Sequence, residues 1–319
     1  MGTISVILST YNGKRYLREL MDSLRNQTRQ PDEVLVSDDA SSDGTVELVR
    51  SYIEEYGLTS WRVIENTKNI GWKANFKRGI LASSGDLVFP CDQDDIWDLH
   101  KIELMSAVME DNPEINVLAC QVKPFYEGKN EVYHTDRAQR GGELVNALDF
   151  DGSDFLYVMR PGCAYCVRSD FARDIQPWWK ESYPHDAVLW RFASISGTLS
   201  LYGRQLVSFR RHGDNASTRG CMTRETRLAD VDYYIDFFKQ ARDYLSKRKR
   251  LDHRRDSMTL RLDAWLNSRR RVLAGEASLS DFRTICAGRS WYSTWKSPLV
   301  DLYFFSDPTA GSTCDNARV

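Results

Sequence analysis

Short apolar runs alternate with helix-like segments over the first part of the chain, and this alternation constrains the fold more than any other feature. Runs rich in β-branched residues predict strands, and segments of about 12 residues with apolar side chains three or four apart predict helices. The predicted strands are Ile4–Ser9, Glu33–Ser37, Trp61–Glu65, Asp86–Cys91 and Ile115–Val122, and the predicted helices are Lys14–Asn26, residues 45–56, Lys73–Ser83 and Asp98–Glu110. These repeated strand–helix–strand units predict an α/β fold whose mostly parallel sheet carries helices on both faces.

Polar residues follow each of the first four predicted strands. Thr10–Asn12 follow the first strand, and Asp38 and Asp39 end the second. A loop around Asn69 follows the third strand, and the acidic stretch Asp92–Asp95 follows the fourth. Because parallel strands of such a sheet end at the ligand crevice, we expect these polar loops to line one crevice.

The acidic stretch places three carboxylates in four positions, at Asp92, Asp94 and Asp95. Carboxylates this close repel each other unless a cation lies among them. Asp92 and Asp94 are two residues apart, so on an extended turn both can point at one Mg²⁺ or Mn²⁺ ion. The alternative for Asp94 or Asp95 is that it caps the following helix, but a cap needs only one acid.

Neither a glycine-rich dinucleotide fingerprint nor a P-loop is present in the sequence, so a metal would have to hold a diphosphate. Asp39 could accept a hydrogen bond from the imide N–H of a pyrimidine. The alternative is that Asp38 and Asp39 are turn residues before the next helix.

Three more side chains have two possible roles each. Asp186 follows His185 at a predicted helix start, where an acid is either a general base or only a favourable charge near the helix dipole. His212 is either structural or a ligand. Trp97 could stack on a sugar at the crevice mouth, or it could pack the start of the next helix.

The composition restricts the kinds of partner and the cellular compartment expected for the chain. The 43 basic and 45 acidic residues nearly balance, which argues against nucleic acid as the partner of the whole chain. Seven cysteines without framework spacing favour a reducing, cytoplasmic compartment. Cys163 and Cys166 have redox spacing but lie in an apolar run, so buried structural thiols are expected. Neither a secretory signal nor a membrane-length apolar run is visible.

The pattern changes after residue 125. The region Glu127–Asp154 is polar and irregular. Further strands are predicted at Arg160–Arg168, Thr198–Tyr202 and Leu206–Phe209, with a helix at His185–Ile195; long helices are predicted at Arg224–Arg248 and Asp256–Leu273, and a disordered tail from Ser306. The basic residues of the long helices suggest contact with an anionic membrane surface; a solvated charged face or a dimerisation arm are alternatives.

Several ordered blocks make the chain resemble a family-2 glycosyltransferase with the GT-A (Rossmann-like) fold. The matching blocks are Val6–Asn12, Val36–Thr45, Asn69–Gly71 with Asn75, and Asp92–Trp97, followed more thinly by Gly162–Cys163, His185–Asp186 and Arg211–Asn215. The Asp92–Trp97 block is most similar to the rhamnosyltransferase-like branch, whose members build bacterial surface polysaccharides.

The resemblance implies roles for individual residues. The expected nucleotide-binding residues are Thr10, Tyr11, Asn12, Asp39, Asn69, Lys73 and Asp92. Asp92 and Asp94 match the metal-binding motif, and His212 matches a loop that can add a metal ligand. Asp186 matches the catalytic base that takes the proton from an acceptor hydroxyl.

The sequence thus predicts an inverting, metal-dependent glycosyltransferase that uses Mg²⁺ or Mn²⁺. Its expected donor is a UDP- or dTDP-sugar, with rhamnose as a candidate sugar, and its expected acceptor is a glycan or a lipid-linked saccharide. Residues 1–215 are predicted as the GT-A domain and residues 216–319 as a helical C-terminal extension, in a cytoplasmic protein with peripheral contact to the cell membrane. The alternatives are an inactive sugar-nucleotide-binding scaffold and a sugar nucleotidyltransferase. The latter needs a glycine-rich loop after the first strand, and residues 10–13 are not one.

Overall fold

A computed structural model describes residues 2–126, 144–148, 150–212, 223–250, 252–294 and 296–306. The strands within these residues are β1 (Ile4–Thr10), β2 (Glu33–Asp38), β3 (Trp61–Glu65), β4 (Leu87–Asp92), β5 (Ile96–Trp97), β6 (Val117–Tyr126), β7 (Val145–Ala147), β8 (Tyr165–Arg168) and β9 (Leu199–Arg211). The α-helices are α1 (Lys14–Arg25), α2 (Thr45–Tyr56), α3 (Trp72–Ala82), α4 (Lys101–Asp111), α5 (Ser153–Leu156), α6 (Ser169–Asp174), α7 (His185–Ser196), α8 (Arg224–Lys247), α9 (His253–Ala274), α10 (Leu279–Ala287) and α11 (Ser297–Ser306).

The chain divides into two compact units. The described residues within Met1–Asp149 and Val158–Asp214 make unit 1, and those within Phe150–Tyr157 and Asn215–Val319 make unit 2. The short segment Phe150–Tyr157, which carries α5, therefore belongs to the helical unit although it precedes much of unit 1 in the sequence. Nothing in the sequence pattern of this segment indicated that it belongs to the helical unit.

Unit 1 is built on one mixed sheet. The strands that the structure describes run in the order β3-β2-β1-β4-β8-β6-β9-β5, and β7 pairs with β9. β1 pairs in parallel with β2 and β4, and β2 pairs in parallel with β3. All residues of β1 and β2 are buried, as expected for strands covered on both faces. The predicted α/β sheet is confirmed; β8 adds antiparallel neighbours beside β4 and β6.

The far half of the sheet differs in detail from the predicted strands. β9 is one strand where two, Thr198–Tyr202 and Leu206–Phe209, are predicted. It continues because it pairs with β6 through register shifts on either side of Gln121. Such bulges absorb extra residues without ending the ladder, which carries β9 across the exposed polar residues Gly203–Gln205.

Two other elements begin later in the structure than predicted, because neighbouring residues form a different element first. α4 begins at Lys101 rather than at Asp98, because Ile96 and Trp97 first pair with β9 as β5. The strand predicted at Arg160–Arg168 is confined to β8, since a single 3₁₀ turn occupies Gly162–Ala164. Most of the irregular region predicted at Glu127–Asp154, and the tail predicted to be disordered, lie outside the described residues.

Unit 2 is helical, so the predicted C-terminal extension is confirmed. α8 begins with a capping box in which Thr223 and Thr226 bond each other's backbone N–H groups. α9 packs against α8, α10 and α11. The ring of Phe155 in α5 meets Phe237 and Phe238 of α8 edge-on, at 6.1 and 5.5 Å between centroids. Among the described helices, none is both long enough and apolar enough to cross a membrane.

A buried ionic cluster lies inside unit 2. Asp301 is 1% exposed and accepts hydrogen bonds from Nε of Arg227 at 2.8 Å and Nε of Arg269 at 2.7 Å. The Tyr292 hydroxyl donates a third bond to Asp301 at 2.8 Å. A buried carboxylate surrounded by donors in this way stabilises the ionised form and holds three chain segments together.

Candidate active site

The carboxyl ends of β1, β2 and β4 form one edge of the sheet, which we call the carboxyl edge. Here Asp38 ties two strand ends together: its carboxylate accepts the hydroxyl hydrogens of Thr10 at 2.7 Å and Ser41 at 2.6 Å. Asn12 lies in the following loop with a φ of 48°, which asparagine tolerates better than most residues. The side chain of Tyr11 beside it is 48% exposed. Thr10 and Asp38 are thus structural supports, and the Tyr11 ring remains exposed at the carboxyl edge.

Asp39 is also at this edge, but the chain already uses its carboxylate. It is 1% exposed and accepts hydrogen bonds from Asn66 Nδ2 at 2.8 Å, the Ile70 N–H at 2.8 Å and the Gly71 N–H at 2.9 Å. These bonds fix the loop between β3 and α3. A bond from Asp39 to a nucleobase, which the sequence suggested, would have to add to these three.

That loop carries the two other predicted donor contacts. Asn69 is exposed, and its side-chain oxygen accepts the Gly71 N–H at 3.0 Å. Lys73 is half-buried in the first turn of α3, with its ammonium 5.7 Å from the centre of the Trp72 ring. Asp39 therefore positions the loop on which both side chains lie.

Asn75 joins the ends of the first strands and has no exposed surface. Its amide donates to the Ser9 hydroxyl at 2.8 Å and to the Ser37 carbonyl at 2.7 Å, and its oxygen accepts from the Ser37 hydroxyl at 2.7 Å. A buried amide with its bonds made is a rigid connector. The sequence block contained Asn75, but a lone asparagine in a helix gave no signal for this role.

Gln93, between the acids of the motif, holds the first loop. Its side-chain oxygen accepts the Tyr11 N–H at 2.8 Å, and its amide donates to the Tyr11 carbonyl at 3.1 Å. The loop can approach this closely because position 13 is glycine; a Cβ there would lie 2.2 Å from the Gln93 oxygen. Gln93 thus couples the loop carrying Tyr11 to the acidic stretch Asp92–Asp95. Nothing in the sequence indicated this role for Gln93.

Two acids of the stretch Asp92–Asp95 lie close to the thiol of Cys163. Ligand atoms of Asp92, Asp95 and Cys163 all lie within 4.8 Å of one another. Asp95 is 1% exposed; its Oδ1 accepts the Arg210 N–H at 3.0 Å, whereas its buried Oδ2 receives no N–H or O–H among the described residues. Negative charge is therefore crowded around an oxygen to which the described part of the chain gives no such donor.

This crowding changes the acidities of the carboxyl groups. Burial, reinforced by the neighbouring acids, raises the pKa of Asp92 well above its ordinary value. The same two causes raise the pKa of Asp95 to about 7. Both shifts record an unfavourable environment for negative charge, which a bound cation would reverse.

Asp94 meets a residue 118 positions away in the chain. Its Oδ2 lies 2.8 Å from Nε2 of His212, and the two side chains are 14% and 12% exposed. The His212 ring packs against Tyr16 at 4.9 Å between centroids, and Arg210 Nε donates to the Asp94 carbonyl at 2.8 Å. The structure therefore brings together two of the three predicted metal ligands in direct contact.

Asp186 lies in the first turn of α7, where its carboxylate accepts the Ala187 N–H at 2.7 Å. Burial and the charges of Asp95 and Asp94 raise the pKa of Asp92 most, and the charge of Asp186 adds to that rise. The preceding His185 fixes this helix start: its ring stacks on Phe76 at 3.9 Å, and a Cβ at Gly162 would lie 2.0 Å from its Nε2. The candidate base thus has a rigid support.

Trp97 does not lie at a crevice mouth. It is only 3% exposed, and the ammonium of Lys101 lies 3.2 Å from the centre of its ring. Lys101 also donates to the Cys163 carbonyl at 2.6 Å. The interpretation of Trp97 as a sugar-stacking residue is therefore wrong, and its packing role is correct. Nothing in the sequence indicated that a lysine would be buried below the acidic motif.

The donor set fits a divalent cation. Asp94 and His212, in contact with each other, supply a carboxylate oxygen and an imidazole nitrogen, which suit Mn²⁺ and, for the oxygen, Mg²⁺; the structure groups Asp92, the third predicted ligand, with Asp95 and Cys163. Asp92 could instead act with Asp95 and Cys163, whose thiol favours a softer ion. The buried Asp95 Oδ2, which receives no N–H or O–H from the described residues, and the raised carboxyl pKa values are the structural observations that call for positive charge here.

Comparison with known proteins agrees with this geometry. The family model described as "Glycosyl transferase family 2" matches residues 5–208. Abequosyltransferase RfbV of Salmonella typhimurium is 25% identical over 295 residues, which cover 82% of this chain and 81% of that protein. A protein of Mycobacterium tuberculosis is 33% identical over 126 residues, 39% of this chain; the match spans only 36% of that relative's length.

Solved structures share the fold. The chain superposes on Staphylococcus aureus TarS in complex with UDP-GlcNAc with a TM-score of 0.63 and 16% identity, covering 95% of this chain and 81% of that one. At this identity the likeness establishes the fold alone.

Proposed function

The chain belongs to glycosyl transferase family 2, and from this premise we propose that it transfers a sugar with inversion from a nucleoside-diphosphate donor to an acceptor hydroxyl. The observation that carries the proposal is the position of Asp92 and Asp94 at the carboxyl edge, where Asp94 contacts His212 and the charge of Asp186 adds to the raised pKa of Asp92. An inverting transfer needs a cation for the diphosphate and a base for the hydroxyl within one crevice.

We assign the donor pocket to the loops that follow β1, β3 and β4. The exposed Tyr11 ring would cover the nucleoside, while Asn12 and Asp39 shape its pocket. Asn69 and Lys73 lie on the loop that Asp39 holds, and the Lys73 ammonium would contact a phosphate. We propose a UDP- or dTDP-sugar as the donor, with rhamnose as a candidate sugar.

Asp92, Asp94 and His212 would hold Mg²⁺ or Mn²⁺. When bound, such an ion neutralises the charge that builds up on the diphosphate leaving group. The chain's own acid then acts on the acceptor: Asp186 receives the proton of the attacking hydroxyl through the carboxylate oxygen that does not accept the Ala187 N–H. The stacked His185 keeps that carboxylate in place.

The acceptor and the location follow from the same proposal. We propose a glycan or a lipid-linked saccharide of a bacterial surface polysaccharide as the acceptor; the relative RfbV is named as an abequosyltransferase, which transfers a sugar. An acceptor anchored to lipid would place the enzyme at the cytoplasmic face of the cell membrane as a peripheral protein.

Donor binding and transfer can be tested separately. We expect one of the UDP-, dTDP- and GDP-sugars to raise the melting temperature more with Mn²⁺ or Mg²⁺ than without, because ligand binding stabilises the native state. Asp186→Asn should keep this shift and reduce transfer about 10²- to 10⁴-fold, the usual contribution of a general base.

Asp170→Asn is the matched control. Asp170 also lies in the first turn of a helix and accepts the next backbone N–H at 2.7 Å, but it is on the exposed surface at α6. This variant should transfer at the wild-type rate. Transfer by Asp186→Asn at that rate would exclude Asp186 as the base, and the absence of any donor-induced shift in the wild type would contradict the whole proposal.

A further inference from the structure

One face of α11 is apolar and exposed. Leu299, Leu302 and Tyr303 are 56%, 43% and 48% exposed, and their spacing of three and four residues puts them on one side of the helix. The opposite side carries the buried Asp301 and Phe304. Large apolar side chains grouped on a surface usually mark a binding face, whereas single exposed leucines are common.

The neighbouring helix α10 extends this surface. Leu279 at its start is 69% exposed, the highest value among the large apolar side chains of the described residues. One turn further on, Phe282 meets Phe305 of α11 edge-on at 5.1 Å between centroids, which brings the start of α10 close to the end of α11. We call the surface formed by Leu279, Phe282, Leu299, Leu302 and Tyr303 the α10–α11 face.

The exposed charged side chains of the described residues from Ala277 to Ser306 have a single sign, whereas Glu276, just before this segment, is an exposed acid. The exposed charged side chains that the structure describes between Ala277 and Ser306 are Arg283, Arg289 and Lys296. The two acids of this segment, Asp281 and Asp301, are buried and accept hydrogen bonds from arginines of α8 and α9. An apolar face bordered by cations complements a surface that is itself apolar and anionic.

The basic stretch that stood out in the sequence has a different character. Lys247 lies 2.8 Å from Asp243, and Arg270 lies 2.6 Å from Asp232. Arg255 is likewise ion-paired with Asp252. Because each of these cations has an acid beside it, this part of α8 and α9 presents mixed charge, as a solvated helix surface does.

We propose that the α10–α11 face is the surface through which the protein docks on an anionic lipid bilayer. Leu299, Leu302 and Leu279 would enter the boundary between headgroups and acyl chains, and Arg283, Arg289 and Lys296 would contact lipid phosphates. The inference rests on the proposed peripheral location, to which it adds the surface and the lipid charge; it does not depend on the transfer chemistry.

The test is flotation of the full chain with vesicles, either of phosphatidylglycerol and phosphatidylethanolamine or of phosphatidylcholine alone. We expect the wild type to float with the anionic vesicles and less so at high salt, since salt screens headgroup attraction. Leu299→Glu and Leu302→Glu should each lower the partition coefficient about tenfold, the effect of keeping one leucine from apolar surroundings.

Leu260→Glu is the matched control, because Leu260 is a 50% exposed leucine on α9 and away from this face in sequence. It adds the same charge and should float like the wild type. Arg248→Glu, in the basic stretch, should also have little effect. Equal losses in Leu260→Glu and Leu299→Glu, or flotation of Leu299→Glu like the wild type, would overturn the proposal.

Two more measurements separate lipid binding from self-association and from donor binding. If a second copy of the chain covers the face, the wild type will be a dimer in solution and Leu299→Glu a monomer with unchanged flotation, which would refute the lipid. Donor-induced thermal stabilisation should be the same in Leu299→Glu and the wild type, so failure to bind a donor and failure to bind lipid are observed independently.

Discussion

Buried and half-buried aspartates occupy opposite environments in the two units. At the carboxyl edge of unit 1, Asp92 and Asp95 lie among other acids, and burial raises the pKa of both. In unit 2, Asp281 accepts bonds from Arg271, Ser278 and Ser268, and these lower its pKa, the Arg271 bond most of all. Asp301 is surrounded by Arg227, Arg269 and Tyr292.

The difference distinguishes a functional from a structural use of the same residue type. The chain supplies cations to the acids of unit 2, so those acids contribute to stability without any ligand. At the carboxyl edge, Lys101 lowers the pKa of Asp95 but does not offset burial and the neighbouring acids, so attraction for a cationic ligand remains there. Removing an acid should therefore cost activity in unit 1 and stability in unit 2.

The largest effect expected is on transfer by Asp92→Ala. We expect a loss of about 10³-fold or more, because one contact to the charged leaving group and its cation is gone. Stability to urea should be unchanged or higher, since a crowded carboxyl group is removed. Urea unfolding and a transfer assay on the same preparation test both parts, and wild-type transfer with chelator present would contradict the metal role.

The reciprocal change is Asp301→Asn in unit 2. It leaves the guanidinium groups of Arg227 and Arg269 buried without their shared carboxylate, which we expect to cost about 4 kcal/mol of unfolding free energy. Donor affinity per folded molecule should not change. Urea denaturation measures the loss, and a stability equal to that of the wild type would show that the cluster is not a structural centre.

His185 extends the comparison to a buried imidazole whose ring nitrogens have no hydrogen-bond partner among the described residues. Burial lowers its pKa to about 4, so the folded chain keeps the imidazole neutral while the unfolded chain protonates it near pH 6.5. This group therefore contributes stability above pH 6.5 that is lost as the pH falls towards 4, by up to about 3 kcal/mol.

His185→Gln isolates this contribution. The raised pKa of Asp95 acts in the opposite direction, because its folded carboxyl group takes up a proton before the unfolded one does. Subtracting the variant's unfolding free energy from that of the wild type cancels this term. The difference should shrink between pH 7 and pH 4; parallel pH curves for the two proteins would rule out a neutral buried imidazole.

The regular part of unit 1 was predictable because its signals are local. The predicted strands from Ile4 to Cys91 lie within a residue of β1 to β4, since alternating apolar runs and turn residues define them. Predictions failed where a strand depends on a distant partner. β5 and the full length of β9 form only because each pairs with the other or with β6.

The candidate active site likewise contains residues that the sequence predicted and residues that it did not. Asp92, Asp94 and Asp186 were found because acids cluster after a strand or open a helix, and the resemblance to known enzymes gave them roles. Gln93 and Lys101 were missed, because neither a glutamine within an acidic motif nor a lysine at a helix start indicates what it will contact. For Trp97 the sequence left a sugar-stacking role and a packing role open, and the structure buries it with Lys101 of α4 over its ring.

The sequence by itself determined the order of strands and helices, the position of the acids after β4 and the helical character of the C-terminal part, because side-chain periodicity and turn residues act over a few positions. The tertiary structure alone decided which groups meet. It joined Asp94 to His212 and enclosed Asp95 with Cys163. It also buried Asp301 between two arginines and left the α10–α11 face exposed. Such contacts depend on register and helix packing between segments far apart in the chain, which no local pattern encodes.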